Sequence, residues 1–415
     1  MNNIAKKIQR VYLGLTLLST LAASFIWGIN TLFLLDAGLS NTEAFAANAF
    51  FTVGQVVFEV PTGVVADTYG RRMSYLLGAG TLLVSTLLYL LMWQIQAPFW
   101  AWAVSSASIG LGFTFFSGAV EAWLVDSLKY AKYKGPLESM FAKAQVTGGI
   151  AMLLGSVAGG FIAQATNLGV PYILRSAILG ITLVTAWLLM KDLGFVPEKH
   201  ETVGKQMRKI FKASIDNGFR KPAVRWVMLA APFSTGVGIY AFYAMQPYLL
   251  ELYGDPSAYS VAGLAAAVIA GAQIAGGVLV PQIRKLFSRR TNAMILGAIA
   301  SAISLAIIGW TSSFVAAVGL LIVWAMVFAA VGPLRQAYLN GMIPSKQRAT
   351  VLSFDSLMGS SGAVATQPVL GRVADVYSYS ASYLVSAIIQ IGALPFVVLA
   401  RGENAKSDPI SKKKA

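Results

Sequence analysis

The chain has 415 residues, 56% hydrophobic and only 12% charged, with a mean hydropathy of +0.66 and a formal net charge of +15. A soluble domain carries about 25% charged residues, so a chain solvated only by water is excluded, and the basic excess, held in short loops between apolar runs, suits an anionic membrane surface better than nucleic acid. There is no cysteine and a single histidine, His200, in a polar stretch, which removes disulfides and thiolate metal sites and makes His200 a solvated loop residue rather than a ligand.

The N-terminal MNNIAKKIQR is basic and leads straight into an apolar run. No small-residue cleavage site interrupts that run, so it is read as a first membrane span rather than a leader. A helix needs about 20 apolar residues to cross the hydrocarbon core. That ruler gives roughly twelve spans. Six cover 11–35, 44–66, 73–93, 99–128, 140–165 and 170–190, and six more cover 224–250, 259–283, 293–310, 314–339, 350–374 and 383–399. The expected organisation is a six-helix bundle over 1–195, a linker over 196–222, a second six-helix bundle over 223–402 and a basic tail over 403–415. Within the linker, VGKQMRKIFKASI has helical apolar spacing and reads as an amphipathic surface helix or a solvated tether.

Basic residues set the expected orientation. Lys6, Lys7 and Arg10 precede span one; Arg71 and Arg72 follow span two; Lys129, Lys132 and Lys134 follow span four. Arg284, Lys285, Arg289 and Arg290 follow span eight, Lys346 and Arg348 follow span ten, and Lys412, Lys413 and Lys414 end the chain. With alternating spans all fall on one side, whereas DAGLSNTE and ELYGDPSAYS on the other side hold acids and no bases. This positive-inside pattern puts both termini in the cytoplasm, in a cell inner membrane. Trp93, Trp100, Trp102 and Trp310 fall near the expected outer boundaries, where interfacial tryptophans belong.

The halves echo each other. Aligning GAVEAWLVDS with PLRQAYLNGM places Gln336 opposite Glu121, Tyr338 opposite Trp123 and Leu339 opposite Leu124. Matching Arg289-Arg290 to Arg71-Arg72 places Ser288 opposite Gly70 and Lys285 opposite Asp67. Two related bundles of this kind leave a polar site between them near the bilayer midplane.

Gly63, Asp67, Gly70, Arg71 and Arg72 form G-x-x-x-D-x-x-G-R-R after the second span. This resembles the signature loop of the major facilitator superfamily, and the span count, long middle loop and repeat extend the resemblance over nearly the whole chain. The resemblance implies an all-α membrane protein of twelve transmembrane helices in two six-helix bundles that rock between two access states. Glu59-Val60-Pro61-Thr62 and the segment from Glu121 to Asp126 look most like bacterial drug-efflux members. It also implies that Asp67, Arg71 and an acid in span four, here Asp126, form a cytoplasmic latch. The residue types suit that role: a carboxylate accepts, Gly70 permits the turn, and arginine is a fork of donors. One departure is Gly155-Ser156-Val157-Ala158-Gly159-Gly160. Proton-driven exporters of the superfamily usually have proline where Ser156 stands, which weakens the expectation of antiport.

An ionisable side chain near the bilayer centre costs about 2.5–3.5 kcal/mol on insertion scales, so it calls for a reason. Glu59, Glu121, Arg335 and Asp355 all lie inside expected spans. Glu121, then Glu59, are the candidate proton-coupling sites, because a carboxyl in a low-dielectric cavity loads and releases a proton near neutral pH. The alternative for Glu121 is a permanent pair with Arg335. Asp355 is assigned to the cytoplasmic gate, and Arg372 to a pair with Asp375 one turn on. Candidate substrate contacts are Trp27, Asn30, Tyr240, Tyr243, Gln246 and Arg335, an aromatic set with few polar groups that suits an amphipathic ligand.

The expected function is proton-coupled export of an amphipathic or lipophilic small molecule. The alternatives are a proton-coupled uptake symporter for a nutrient or metabolite, and a lipid flippase. No enzyme activity, cofactor, metal or nucleic-acid partner is expected. The expected partners are a small-molecule substrate, protons and the lipid bilayer, with the chain acting as a monomer.

Overall fold

A computed structural model describes residues 3–197, 203–344 and 348–410. His200, Lys346 and the lysines at 412–414 lie outside the described residues. The first half contains α1 (Asn3–Trp27), α2 (Asn30–Asp36), α3 (Asn41–Tyr69), α4 (Arg71–Ile95), α5 (Phe99–Phe116), α6 (Ala119–Tyr130), α7 (Leu137–Ala165) and α8 (Gly169–Leu189). Helix α9 (Val203–Ser214) and a π turn (Ile215–Phe219) lead into the second half. That half contains α10 (Pro222–Tyr253), α11 (Tyr259–Val278), α12 (Val280–Leu286), α13 (Arg290–Trp310), α14 (Phe314–Asn340), α15 (Arg348–Val376), α16 (Tyr379–Ile391) and α17 (Leu394–Gly402).

Eleven helical stretches among the described residues are long and apolar enough to cross a bilayer. The one expected span outside these eleven is the eleventh, α15, a helix of 29 residues that carries Asp355, Arg372 and Asp375. Helices of this kind satisfy every backbone group internally, which is what hydrocarbon demands. Four expected spans are interrupted. Span one breaks between α1 and α2 at Gly28-Ile29, and span four between α5 and α6, where Gly118 adopts φ 68°. Span eight breaks before Pro281 and span twelve before Pro395. Proline removes the amide that would continue the ladder, and a left-handed glycine turns the chain out of register.

Contacts divide the chain into two compact units. Unit 1 comprises Met1–Leu39, Phe50–Val203 and Ser257–Ala267; unit 2 comprises Ser40–Ala49, Gly204–Pro256 and Val268–Ala415. In unit 1, α1 packs on α7 and α8, and α4 packs on α5 and α8. A side chain at Gly155 or Gly159 of α7 would run into Ser24 or the Phe25 carbonyl of α1, so these glycines let two helices approach closely. In unit 2, α10 packs on α15, α16 and α17, and α13 packs on α14 and α16.

Each unit has a comparable core. Tyr12, Tyr75, Trp123, Leu124 and Met140 are buried together in unit 1, and Val227, Met228, Tyr338, Leu339 and Val351 in unit 2. The repeat is visible in these positions. Trp123 donates its indole N–H to the Lys191 carbonyl at 2.7 Å, and Tyr338, its sequence counterpart, donates its hydroxyl to the Ala400 carbonyl at 3.3 Å. In both halves an aromatic donor anchors the fourth span to the end of the sixth.

Candidate functional site

The G-x-x-x-D-x-x-G-R-R segment builds a charged corner in unit 1. Helix α3 ends at Tyr69 and α4 begins at Arg71, so Gly70 alone makes the turn, with φ 107° and ψ 152°. A β-carbon there would collide with the Asp192 carboxylate. Asp192 fills the space glycine leaves: it accepts the Arg72 backbone N–H at 2.9 Å and so satisfies an orphan donor of the first turn of α4. The Arg72 guanidinium donates to the Trp187 carbonyl at 2.7 Å. Arg71 pairs with Asp67 one turn back and lies 5.9 Å from the centroid of the Phe195 ring. Burial pushes the Asp192 carboxyl up, against the opposing pull of the Arg72 amide and of both guanidinium groups; the nearby Asp126 charge adds to the rise.

The expected Asp67–Arg71–Asp126 latch is therefore only partly assembled. No ion pair joins Asp126 to Arg71 among the described residues, and the acid that reaches the corner is Asp192. Gly63 stands with no atom near its would-be β-carbon. Sequence reading missed Asp192 because it lies 120 residues from Arg72; its only local signal is an acid directly after the sixth span.

Unit 2 repeats the device. Asp408, 1% exposed, accepts the Thr291 backbone N–H on Oδ1 and the Thr291 hydroxyl on Oδ2, both at 2.9 Å. Thr291 is the second residue of α13, as Arg72 is of α4. In each half, an aspartate beyond the sixth span caps the start of the third. The cap also corrects the sequence alignment by one residue: Arg290, not Arg289, stands opposite Arg71, and Arg289 stands opposite Gly70. Arg290 donates to the Ser407 and Pro409 carbonyls, and Arg289 donates to Asn404 Oδ1 at 3.0 Å, so the described part of the tail is tied to this corner.

Above that corner, α10, α13, α14, α16 and α17 of unit 2 line a cavity of about 230 Å³. Ser234, Thr235, Ser301, Gln336, Gln390 and Arg335 supply polar groups to an otherwise apolar wall. Gln390 donates to the Ser234 hydroxyl at 3.2 Å. Arg335 donates both terminal nitrogens to Asp355, each at 2.6 Å, and one of them also to the Val227 carbonyl at 3.2 Å. Asp355 is buried and Arg335 is half-buried. This fork-on-fork pair is among the strongest types of side-chain hydrogen bonding, and among the described residues the carboxylate that Arg335 meets is Asp355 rather than the expected Glu121.

Of the expected substrate contacts, only Arg335 lines this cavity. Tyr240 is fully buried and donates to the Ser382 hydroxyl at 2.6 Å; Gln246 is fully buried. Asn30 accepts from the Tyr172 hydroxyl at 3.0 Å, Trp27 is half-buried, and Tyr243 packs edge-on to Phe242 at 5.4 Å. Glu59 is exposed and accepts from the Ser117 hydroxyl at 2.8 Å, at the break between α5 and α6; Glu121 is exposed on α6. Arg175 of α8, 2% exposed, donates to the Thr86 hydroxyl at 3.0 Å.

A third carboxylate works at the start of α3. Asp375 accepts the Asn41 backbone N–H at 2.9 Å, the Thr42 backbone N–H at 2.8 Å and the Thr42 hydroxyl at 2.5 Å. Tyr379 donates to the Asn41 side-chain oxygen. Among the described residues the ion pair expected between Arg372 and Asp375 does not form; the carboxylate caps a helix instead.

Comparison with known proteins agrees with this architecture. A family profile described as Major Facilitator Superfamily matches residues 12–331 and 283–415. The chain belongs to the Major Facilitator Superfamily. A relative named "Uncharacterized MFS-type transporter YxaM", from Bacillus subtilis, is 23% identical over 399 residues, covering 91% of this chain and 92% of the relative. Among solved structures, a nucleoside transporter, NupG, superposes with a TM-score of 0.75 at 14% identity, covering 96% of this chain and 99% of that one. A bacterial homologue of the human lysosomal transporter Spinster gives 0.72 at 15% identity, covering 100% of both chains. A D-xylose-proton symporter gives 0.63 at 16% identity, covering 95% and 99%. These structures share the major facilitator fold of twelve transmembrane helices in two six-helix bundles, and the family match makes the chain a membrane transporter of that type. The drug-efflux resemblance gains no support from them.

Proposed function

We propose that this protein is a proton-driven secondary transporter of a small organic molecule, working by alternating access. The observation that carries the reading is the Arg335–Asp355 pair beside the cavity of unit 2. Charge inside an apolar bundle is expensive. Replacing a buried pair by apolar residues often costs nothing, so the pair is poor evidence of a role in stability alone. Protonating Asp355 would release the Arg335 fork towards the cavity, where it can hold an acceptor on a ligand. Loss of the proton would restore the pair and expel the ligand. Glu121 and Glu59, exposed in unit 1, are the proposed proton path.

Export of an amphipathic molecule is supported by the efflux-like segments around Glu59 and Glu121. Uptake of a small polar metabolite is supported by two other observations. Ser156 stands where exporters carry proline, and the cavity is small with six polar groups in its lining. The structural neighbours named a nucleoside transporter and a D-xylose-proton symporter support a small polar metabolite as the substrate, and the second supports its movement together with a proton. We therefore favour uptake.

The test begins with thermal unfolding of the purified chain against nucleosides, pentoses and lipophilic cationic dyes, since a ligand of the folded state raises Tm. The stabilising compound is then followed in proteoliposomes under an imposed pH gradient. Asp355→Asn is expected to abolish gradient-driven accumulation while exchange down a substrate gradient persists. Normal accumulation by Asp355→Asn would overturn the coupling role, and accumulation only under an outwardly directed proton gradient would reverse the direction.

A further inference from the structure

On one flank of unit 2, α11, α12, α13 and α14 form an apolar groove of about 350 Å³. Leu279, Ile283, Phe287, Leu296, Val327 and Leu334 are among its walls. Along α14 it runs from Val323 to Leu334, about 16 Å of helix at ~1.5 Å per residue. Leu296 and Val323 are 53% and 49% exposed, so the groove opens sideways from the helices that form it. In a chain whose helices cross a bilayer, the medium on that side is hydrocarbon.

One end of the groove is cationic. Arg284 and Lys285 directly follow the groove residue Ile283 on α12 and precede the groove residue Phe287. Both are exposed. The other two bases of this cluster are engaged: Arg289 with Asn404 and Asp408, and Arg290 with carbonyls of the tail. Neither Arg284 nor Lys285 makes an ion pair or side-chain hydrogen bond among the described residues. The two features complement one amphiphile: acyl chain in the groove, anionic headgroup on the pair of bases. A zwitterionic lipid would fill the groove but bring no net charge to its mouth, and a free anion would meet the bases but leave the groove empty.

We propose that this groove is a binding site for an anionic phospholipid of the surrounding bilayer. The proposal is independent of the transport reading, because none of its charged residues touches the Arg335–Asp355 cavity. Purified full-length protein in nanodiscs of phosphatidylcholine, with and without phosphatidylglycerol, gives the test, read as co-purifying lipid by native mass spectrometry and as Tm. The wild type is expected to retain phosphatidylglycerol preferentially and to gain Tm from it. The double variant Arg284→Gln/Lys285→Gln should lose roughly thirtyfold of that preference, the expected weight of two surface bases. Ala300→Phe, which fills the groove from α13, should reduce retention of both lipids while leaving both bases in place. Inorganic phosphate alone should leave Tm unchanged. Equal retention of the two lipids by the wild type would overturn the proposal. So would retention unchanged in both variants, or inorganic phosphate reproducing the Tm shift.

Discussion

Gly63 and Gly70 belong to one motif, yet only one is held by backbone geometry. Gly70 occupies a region of φ/ψ space essentially reserved for glycine and faces the Asp192 carboxylate. Gly63 sits inside α3 with open space around its α-carbon. Gly70→Ala is expected to cost about 1–3 kcal/mol, seen as a lower Tm in detergent, because it adds strain and displaces the cap. Gly63→Ala should leave Tm unchanged or raised, since alanine is the better helix former. Equal effects of the two would show that the corner tolerates a side chain. At this scale the sequence disclosed the glycines, arginines and Asp67, because they lie within ten residues of each other. It concealed Asp192, whose contact with Arg72 exists only after the six spans have folded back.

Helices were the most legible elements. Twenty or so apolar residues admit few other solutions in lipid. The interruptions were harder to see, since Gly28, Gly118 and Pro281 look like the many glycines and prolines that helices of this chain absorb, such as Pro61 and Pro333. The function of Asp375 was misplaced for a related reason. Its neighbour at helical spacing, Arg372, offered a local pair, whereas three donors at the start of α3 outcompete it. A carboxylate on a helix start is worth about 0.5–2 kcal/mol. Asp375→Ala should therefore speed amide exchange in the first turn of α3 several-fold, while Arg372→Ala should not. Unchanged exchange in Asp375→Ala would mean that the cap carries no load.

Across the whole molecule, the two halves share more than helix count. Each returns an aspartate from beyond its sixth span to the second residue of its third span, Asp192 to Arg72 and Asp408 to Thr291. Asp408→Ala leaves a buried amide and hydroxyl unpaired and should cost about 1–3 kcal/mol; a chain ending at residue 402 should lose as much, both read by thermal unfolding. A tail that unfolds without effect would reduce this contact to incidental packing. The amino-acid sequence by itself determined solvent, helix number, the repeat and the charged corner, because hydrophobicity and short-range spacing act along the chain. Only the tertiary structure decided which acid meets which donor. Asp192, Asp355, Asp375 and Asp408 each found partners between 20 and 334 residues away, and an ion pair depends on distance in space, to which sequence separation is no guide.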